Sequence, residues 1–191
     1  GAIKMAWDGC PNADSTRIVP AASFCHDADA GNLQGLHLSL DPKQPTGRGP
    51  SVKAFWINEA VWLDDSATDP TTEAWHARAA RFGLHGTGAI PIRQRGSPTA
   101  ILTIYVDEPA GFDESSRTLL ADMAAQLGLA LDTLEAERAA AEFQDSLRSS
   151  EQRTEAMFER APLGIALKDS VTGRYLDVNP KFQEMVGRSR E

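Results

Sequence analysis

The chain opens on an alternation of period two. In Ile3-Lys4-Met5-Ala6-Trp7 every second side chain is large and apolar, which predicts a half-buried strand with Ile3, Met5 and Trp7 on one face. Turn residues fill 9–15, and 17–23 is again strand-like, so the two predict a hairpin. A third, shorter strand follows at 36–40. In Gly47-Arg48-Gly49-Pro50-Ser51 the glycines end a loop, and Pro50 stands where a helix can begin without its N–H. A short apolar helix then runs to 58, and 60–63 reads as a strand. The capping residues of 68–73 open a helix that ends at Phe82, before Gly83. Two β-rich runs, 87–92 and 99–106, flank a polar turn containing Gly96 and predict an antiparallel hairpin. This order of elements describes an α+β domain in which a mainly antiparallel sheet carries helices on one face.

After residue 113 the period changes. Leu120, Met123, Leu127, Ala130 and Leu134 recur at alternating three- and four-residue steps, the seam of a coiled coil. Apart from Gly128, neither Gly nor Pro interrupts the run before Pro162, so 113–159 predicts one helix on the order of 70 Å long. Phe143, Leu147, Ser150, Thr154 and Met157 shift the register, and Ser149-Ser150 is a candidate break. Beyond Pro162 the pattern restarts. Residues 163–167 and 174–178 predict two strands about a turn, and Asn179-Pro180 opens a helix to Val186. Some thirty residues cannot bury a core of their own.

Composition removes several classes of function. The chain has 191 residues, 41% hydrophobic and 24% charged, and a net charge of −8. Residues 113–160 hold eleven acids and five bases, which puts −6 on that stretch alone. A nucleic-acid partner calls for a basic surface, so none is expected. No apolar run approaches the ~18 residues of a membrane span, and the first nine residues read as a strand rather than a signal peptide. A cytoplasmic setting with no membrane segment within the chain is the expectation. The two cysteines, Cys10 and Cys25, end predicted strands and are too few for a disulfide framework or a zinc site.

Four segments in this order carry a family likeness: Lys4-Met5-Ala6-Trp7, Gly47 through Ser51, the 64–70 loop before a Trp75-containing helix, and Ala89-Ile90-Pro91-Ile92 with Ile101-Leu102-Thr103-Ile104-Tyr105. Together with Gly111-Phe112-Asp113-Glu114 running into a leucine helix, they make residues 3–134 resemble a bacterial GAF domain. Such domains usually begin with a helix that contributes to a dimer. Here the chain starts almost at the strand, so the resemblance implies that this helix is missing. Residues 152–191 resemble the opening of a PAS domain, through Thr154 to Ala166 and Tyr175-Leu176-Asp177-Val178-Asn179-Pro180-Lys181-Phe182. The organisation expected is a sensor domain at 1–112, a signalling helix at 113–152 that completes it, and a truncated PAS start at 153–191.

What the resemblance implies about chemistry is sensing rather than catalysis. The sequence has no Gly-x-Ser-x-Gly elbow, phosphate loop or His-Glu-x-x-His, and Cys25-His26 are merely neighbours. Relatives that bind a linear tetrapyrrole attach it through a cysteine before the Ala89 strand; 75–86 contains none, so a covalent bilin is not expected. Haem-binding relatives supply a histidine from the same segment, where His76 and His85 stand; as a helix-surface and a turn residue they make haem unexpected too. Candidate residues for a family-type pocket are Trp7, Phe55, Trp62, Trp75, Phe82, His85 and Ile90. The aromatics among them suit either a planar apolar ligand or plain core filling. The expected partners are an unknown small molecule and a second copy of the chain along Leu120, Met123, Leu127, Ala130 and Leu134. The function implied is input and relay to an output such as a cyclic-dinucleotide enzyme or a histidine kinase. The alternatives are a ligand-free dimerisation scaffold or a haem-based sensor.

Overall fold

A computed structural model describes residues 2–25, 33 and 36–187. The chain forms two compact units, 1–134 and 135–191. The first is built on a six-stranded sheet: β1 (Ile3–Pro11), β2 (Arg17–Cys25), β3 (Leu38–Ser39), β4 (Val61–Leu63), β5 (Thr87–Gln94) and β6 (Ser97–Val106). Their order is β3-β2-β1-β6-β5-β4, and every pairing is antiparallel. Helix α1 (Pro50–Ile57) starts on Pro50, as expected, and ends at Asn58 in the left-handed conformation. The predicted helix of 70–82 divides into a 3-10 stretch, Pro70–Trp75, and α2 (His76–Phe82). Asp69 caps the first by accepting from the Thr71 N–H, and Gly83 closes the second at φ +62°.

Strand parity sorts the core into two layers. Met5, Trp7, Ala89 and Ile101 belong to one buried cluster with Val52 and Ala54 of α1 and Ala79 of α2. Ile90, Ile92, Ile104 and Val106 belong to the other, with Phe112 and Ala124. The short helices thus cover one face of the sheet. The first part of α3 (Glu114–Glu159) lies over the opposite face.

Ile3 departs from the expected alternation. Met5 and Trp7 are each 2% exposed, but Ile3 is 45% exposed, because the β1–β6 register shifts between Ile3 and Met5. The bulge removes Ile3 from their face.

Helix α3 begins at Asp113, whose Oδ1 accepts from the Ser116 N–H at 2.8 Å. It shows no break at Ser149-Ser150; the Thr154 hydroxyl donates to the Ser150 carbonyl at 2.9 Å within unbroken helix. In the second unit β7 (Ala166–Lys168) pairs with β8 (Tyr175–Val178), and α4 (Pro180–Val186) follows. Asn179 is fully buried and ties these pieces together. Its Oδ1 accepts from the N–H groups of Ile165 and Phe182, and its Nδ2 donates to the carbonyls of Phe158 and Leu163. All four hydrogen-bonding positions of the side chain are used. Apolar surface is left uncovered around it, with Leu163, Leu176 and Met185 all about two-thirds or more exposed.

Candidate functional site

A cavity of about 30 Å³ lies between the sheet and its short helices. Its sheet wall comes from odd-numbered positions, Met5 and Trp7 of β1 and Tyr105 of β6. Its helical wall is Trp75, Arg78 and Ala79, at the i, i+3, i+4 spacing of one helix face. Leu33, Leu36, Leu38 and Leu84 add apolar surface.

The two glycines of the Gly47–Ser51 segment have separate reasons. A Cβ on Gly47 would fall 2.0 Å from the Asp41 carbonyl oxygen, and one on Gly49 would fall 2.9 Å from the Trp75 ring. Gly49 therefore lets Trp75 approach the start of α1 and close that side of the cavity.

Hydroxyl pairs brace the site. Ser51 of α1 and Thr103 of β6 share a buried hydrogen bond at 2.9 Å. Ser66, in the loop before the 3-10 stretch, is hydrogen-bonded to Thr87 of β5. The Thr72 hydroxyl, also buried, donates to the Ser66 and Asp69 carbonyls. Each pairing lets a polar group sit in the core without leaving a donor or acceptor unmet.

Trp7 is the exception. Its Nε1 is buried and meets no acceptor in hydrogen-bond geometry, although the Tyr105 hydroxyl is its polar neighbour. Burial pushes the Tyr105 phenol up, opposed by the Trp7 indole and the Arg78 charge, so it stays a neutral O–H donor.

Of the seven pocket candidates, the structure brings Trp7 and Trp75 to the cavity. Phe55 and Phe82 are half-buried against the same core layer. Phe82 packs under the guanidinium groups of Arg81 and Arg78, at 4.9 and 5.5 Å from its ring centre.

Trp62 and Ile90 require correction, since they belong to the opposite layer. Trp62 pairs with Gly88 across β4–β5, and a Cβ on Gly88 would come within 2.4 Å of its ring. The ring lies 5.2 Å from that of Phe112 and is covered by the Arg117 guanidinium at 5.4 Å. Ile90 shares the even parity of Gly88, which turns it to the α3 side.

His85 is also held away from the cavity lining. Its Nδ1 is 3.0 Å from Asp65 Oδ1, and its N–H donates to the Val106 carbonyl. Burial pushes the Asp65 carboxyl up, but hydrogen bonds from the Ala67 N–H, His85 and Thr68 outweigh it and leave the carboxyl below its ordinary range. His76 Nε2 is 2.7 Å from the Asp69 carbonyl oxygen and turns to the start of its own helical segment. Among the described residues no three His, Cys, Asp or Glu side chains gather as a metal site. His26 lies outside the described residues.

Met5, Tyr105 and Arg78 were not among the pocket candidates, although the alternation of 3–7 already set Met5 on the face of Trp7. Parity places Met5 and Tyr105 beside Trp7 once the β1–β6 register is known, and helical spacing places Arg78 beside Trp75.

Cys10 is exposed, and Cys25 is half-buried with its Sγ 3.2 Å from the Lys4 carbonyl oxygen. Cys25 stands opposite Met5 in the β1–β2 ladder. Five strand residues therefore separate the two sulfur positions, on the order of 16 Å. No disulfide can span that distance.

On α3, Ala124 and Gly128 are buried and Leu120 is half-buried against the sheet. Met123, Leu127 and Leu134 are 46–49% exposed, and Ala130 is exposed as well. Leu120 is thus taken up by its own sheet, while the other four seam residues form an adjoining, uncovered stripe. No helix among the described residues is long and apolar enough to cross a membrane.

These features define an α+β domain of a class typical of signalling proteins. The chain belongs to the GAF domain family, whose model matches residues 12–132, and a PAS domain model matches 152–191. No curated protein matches it. Among solved structures it is similar to a domain of a Sinorhizobium meliloti protein described as a two-component sensor histidine kinase (TM-score 0.54, 15% identity, covering 72% of this chain and 85% of that one). It is also similar to the GAF domain of a phosphoenolpyruvate-protein phosphotransferase from Coxiella burnetii (0.55, 19%, 72% and 76%). A third neighbour is the free methionine-R-sulfoxide reductase of Neisseria meningitidis, in complex with its substrate (0.54, 19%, 72% and 71%). At these identities the likeness is one of fold, and that fold serves both sensors and an enzyme.

Proposed function

We propose that this chain is the input and relay segment of a bacterial signal-transduction protein. In this reading a small molecule occupies the cavity under α1 and α2, and the change passes through the sheet to α3. From there it reaches an output elsewhere in the parent protein, such as a cyclic-dinucleotide enzyme or a histidine kinase. The observation that carries the reading is the double use of β6. Thr103 and Tyr105 face the cavity side, while Ile104 and Val106 pack with the layer that seats α3. A displacement of β6 by a ligand therefore moves the seat of the helix, because a close-packed core does not absorb strain silently. The uncovered stripe of Met123, Leu127, Ala130 and Leu134 supports a second part of the proposal, parallel pairing of α3 with a second copy.

Catalysis of the reductase kind is the less favoured reading. Reducing a sulfoxide requires a two-electron donor, and this chain's only thiols are the two that the hairpin holds apart. Haem is disfavoured because both candidate histidines have other partners and the cavity is far too small for a macrocycle.

The test is native mass spectrometry of the protein taken directly from cells, followed by hydrogen exchange with and without the recovered ligand. A mass increment lost on denaturation, with changed protection along 118–128, is the expected result. A ligand-free chain, with exchange insensitive to cell extract, would leave the dimerisation scaffold as the function.

A further inference from the structure

The β5–β6 turn is gripped from both faces of the sheet, and the two grips meet within residues 93–96. Gln94 pairs with Ser97, which leaves Arg95 and Gly96 as a two-residue turn at φ +50° and +80°. Positive φ at both central residues marks the turn whose twist suits two antiparallel strands. On the cavity side, α1 ends beside this turn. Asn58 Nδ2 donates to the Gly96 carbonyl at 3.0 Å. Arg93 closes the contact, with Nε donating to Asn58 Oδ1 at 2.9 Å and Nη2 to the Asn58 carbonyl at 2.6 Å. On the other side, the Arg95 N–H donates to both carboxylate oxygens of Asp132 in α3, at 3.1 and 3.2 Å. Gly128 lets the same helix rest on the Arg93 carbonyl.

Asn58 does more than end a helix. Helices α1, α2 and α4 all close on a residue in the left-handed conformation, and in α2 and α4 that residue is a glycine. Glycine takes this conformation without steric cost, and asparagine is among the few other residues that tolerate it. What Asn58 adds is its amide, and both polar atoms of that amide are spent on the turn and on Arg93. The opposite end of α1 belongs to the cavity, where Pro50 and Ser51 are part of the lining and Gly49 receives the Trp75 ring. Eight helical residues, on the order of 12 Å, therefore span from the cavity to the turn.

We propose that Asn58 couples the cavity to α3. A shift of α1 at its cavity end passes through the Asn58 amide and Arg93 to the turn, and from the Arg95 N–H to Asp132. Hydrogen bonds fix both distance and direction, so the turn follows α1 or a bond between them breaks. The inference rests on the relay reading above and adds a second route to the one through β6. The two routes reach α3 at different places. The β6 side chains pack in the layer that holds Ala124, whereas the turn grips the helix at Gly128 and Asp132, beside the uncovered Ala130 and Leu134.

The experiment is amide hydrogen exchange followed by NMR on the whole chain, read at Arg95 and at 128–132, with no ligand added. Gly49→Ala supplies the perturbation at the cavity end of α1. A Cβ there meets the Trp75 ring at 2.9 Å, so α1 or the ring must shift. If that variant does not fold, Ser51→Ala takes its place, removing the buried bond to Thr103. The same perturbation is then made in Asn58→Gly, which keeps a residue suited to the helix end and deletes the amide.

With Asn58 present, the perturbation should speed exchange at the Arg95 amide about five- to tenfold, the worth of roughly one hydrogen bond. In the Asn58→Gly background the same step should change it by less than about twofold, the range expected of independent sites. Equal responses in the two backgrounds, or none in either, overturn the coupling. So does an Asn58→Gly protein whose α1 amides have lost their protection, because Asn58 would then serve only to hold the helix end. The sensing reading depends on the native mass increment and not on this cycle, so the two failures are distinguishable.

Discussion

Replacing Gly128 by alanine should destabilise the GAF domain, against the usual preference of helices. In a solvent-facing helix interior the change stabilises by about 0.5–1 kcal/mol, since Ala has less backbone freedom to lose. Gly128 is buried, however, and a Cβ there would lie 2.1 Å from the Arg93 carbonyl oxygen and 3.2 Å from its carbon. Both are backbone atoms of β5, paired to β6 at that position, so they cannot swing aside as a flexible side chain would. The helix must lift instead. Lifting it loosens Ala124, which is 1% exposed, and lengthens the bonds from the Arg95 N–H to the Asp132 carboxylate, now 3.1 and 3.2 Å. Overpacking costs about 1–3 kcal/mol, and a contact this short with backbone belongs at the upper end, so after the propensity gain a net loss of roughly 2 kcal/mol is expected. Urea denaturation of wild type and Gly128→Ala, with Ala130→Gly as the exposed control on the same helix, measures it. Ala130→Gly should lose about 1 kcal/mol from propensity alone. A Gly128→Ala protein as stable as wild type, or more so, would show that α3 does not press on β5 as described.

Four further outcomes follow from the same contacts. Leu127→Asp with Leu134→Asp should convert a self-associating chain into a folded monomer by analytical ultracentrifugation, whereas a wild type already monomeric at high concentration would refute parallel pairing. Ser51→Ala should lower stability by about 1–3 kcal/mol in the same denaturation assay, because the buried Thr103 hydroxyl loses its partner; Ser51→Ala with Thr103→Val should recover part of the loss. Asp65, Asp113 and Asp169 all have carboxyls held below the ordinary aspartate value, Asp113 by the Ser116 hydroxyl and N–H and Asp169 by the Thr172 N–H and hydroxyl. A lowered folded-state pKa contributes stability that is complete above about pH 4 and lost as pH falls through the folded values, so thermal stability should decline only on the acid side of about pH 4 and be flat in these terms above it. Asn179→Ala should speed limited proteolysis within residues 162–187 while leaving cleavage of 2–134 unchanged; identical digestion of both proteins would deny Asn179 its organising role.

The sequence by itself determined the elements and their kinds. Period two marked β1, β-rich runs about polar turns marked the β1–β2 and β5–β6 hairpins, the three-four alternation marked α3, and Asn179-Pro180 and Gly83 marked helix ends, because these signals depend only on neighbours along the chain. It also bounded the chemistry, since a missing cysteine in 75–86 is visible without coordinates. Which aromatic reaches the cavity was decided by tertiary structure. Trp7 and Trp62 look alike in the sequence, but β4 pairs with β5 so that Trp62 lies across from Gly88 and takes the even-numbered face, while Trp7 pairs with Thr103 on the odd one. Register between strands far apart in sequence sets that choice, and no local pattern encodes it. Leu120 and Leu127 divide for the same reason. Both are seam positions by spacing, yet the glycine at 128 brings the helix down on Arg93, and the face so chosen half-buries Leu120 against the sheet and leaves Leu127 uncovered.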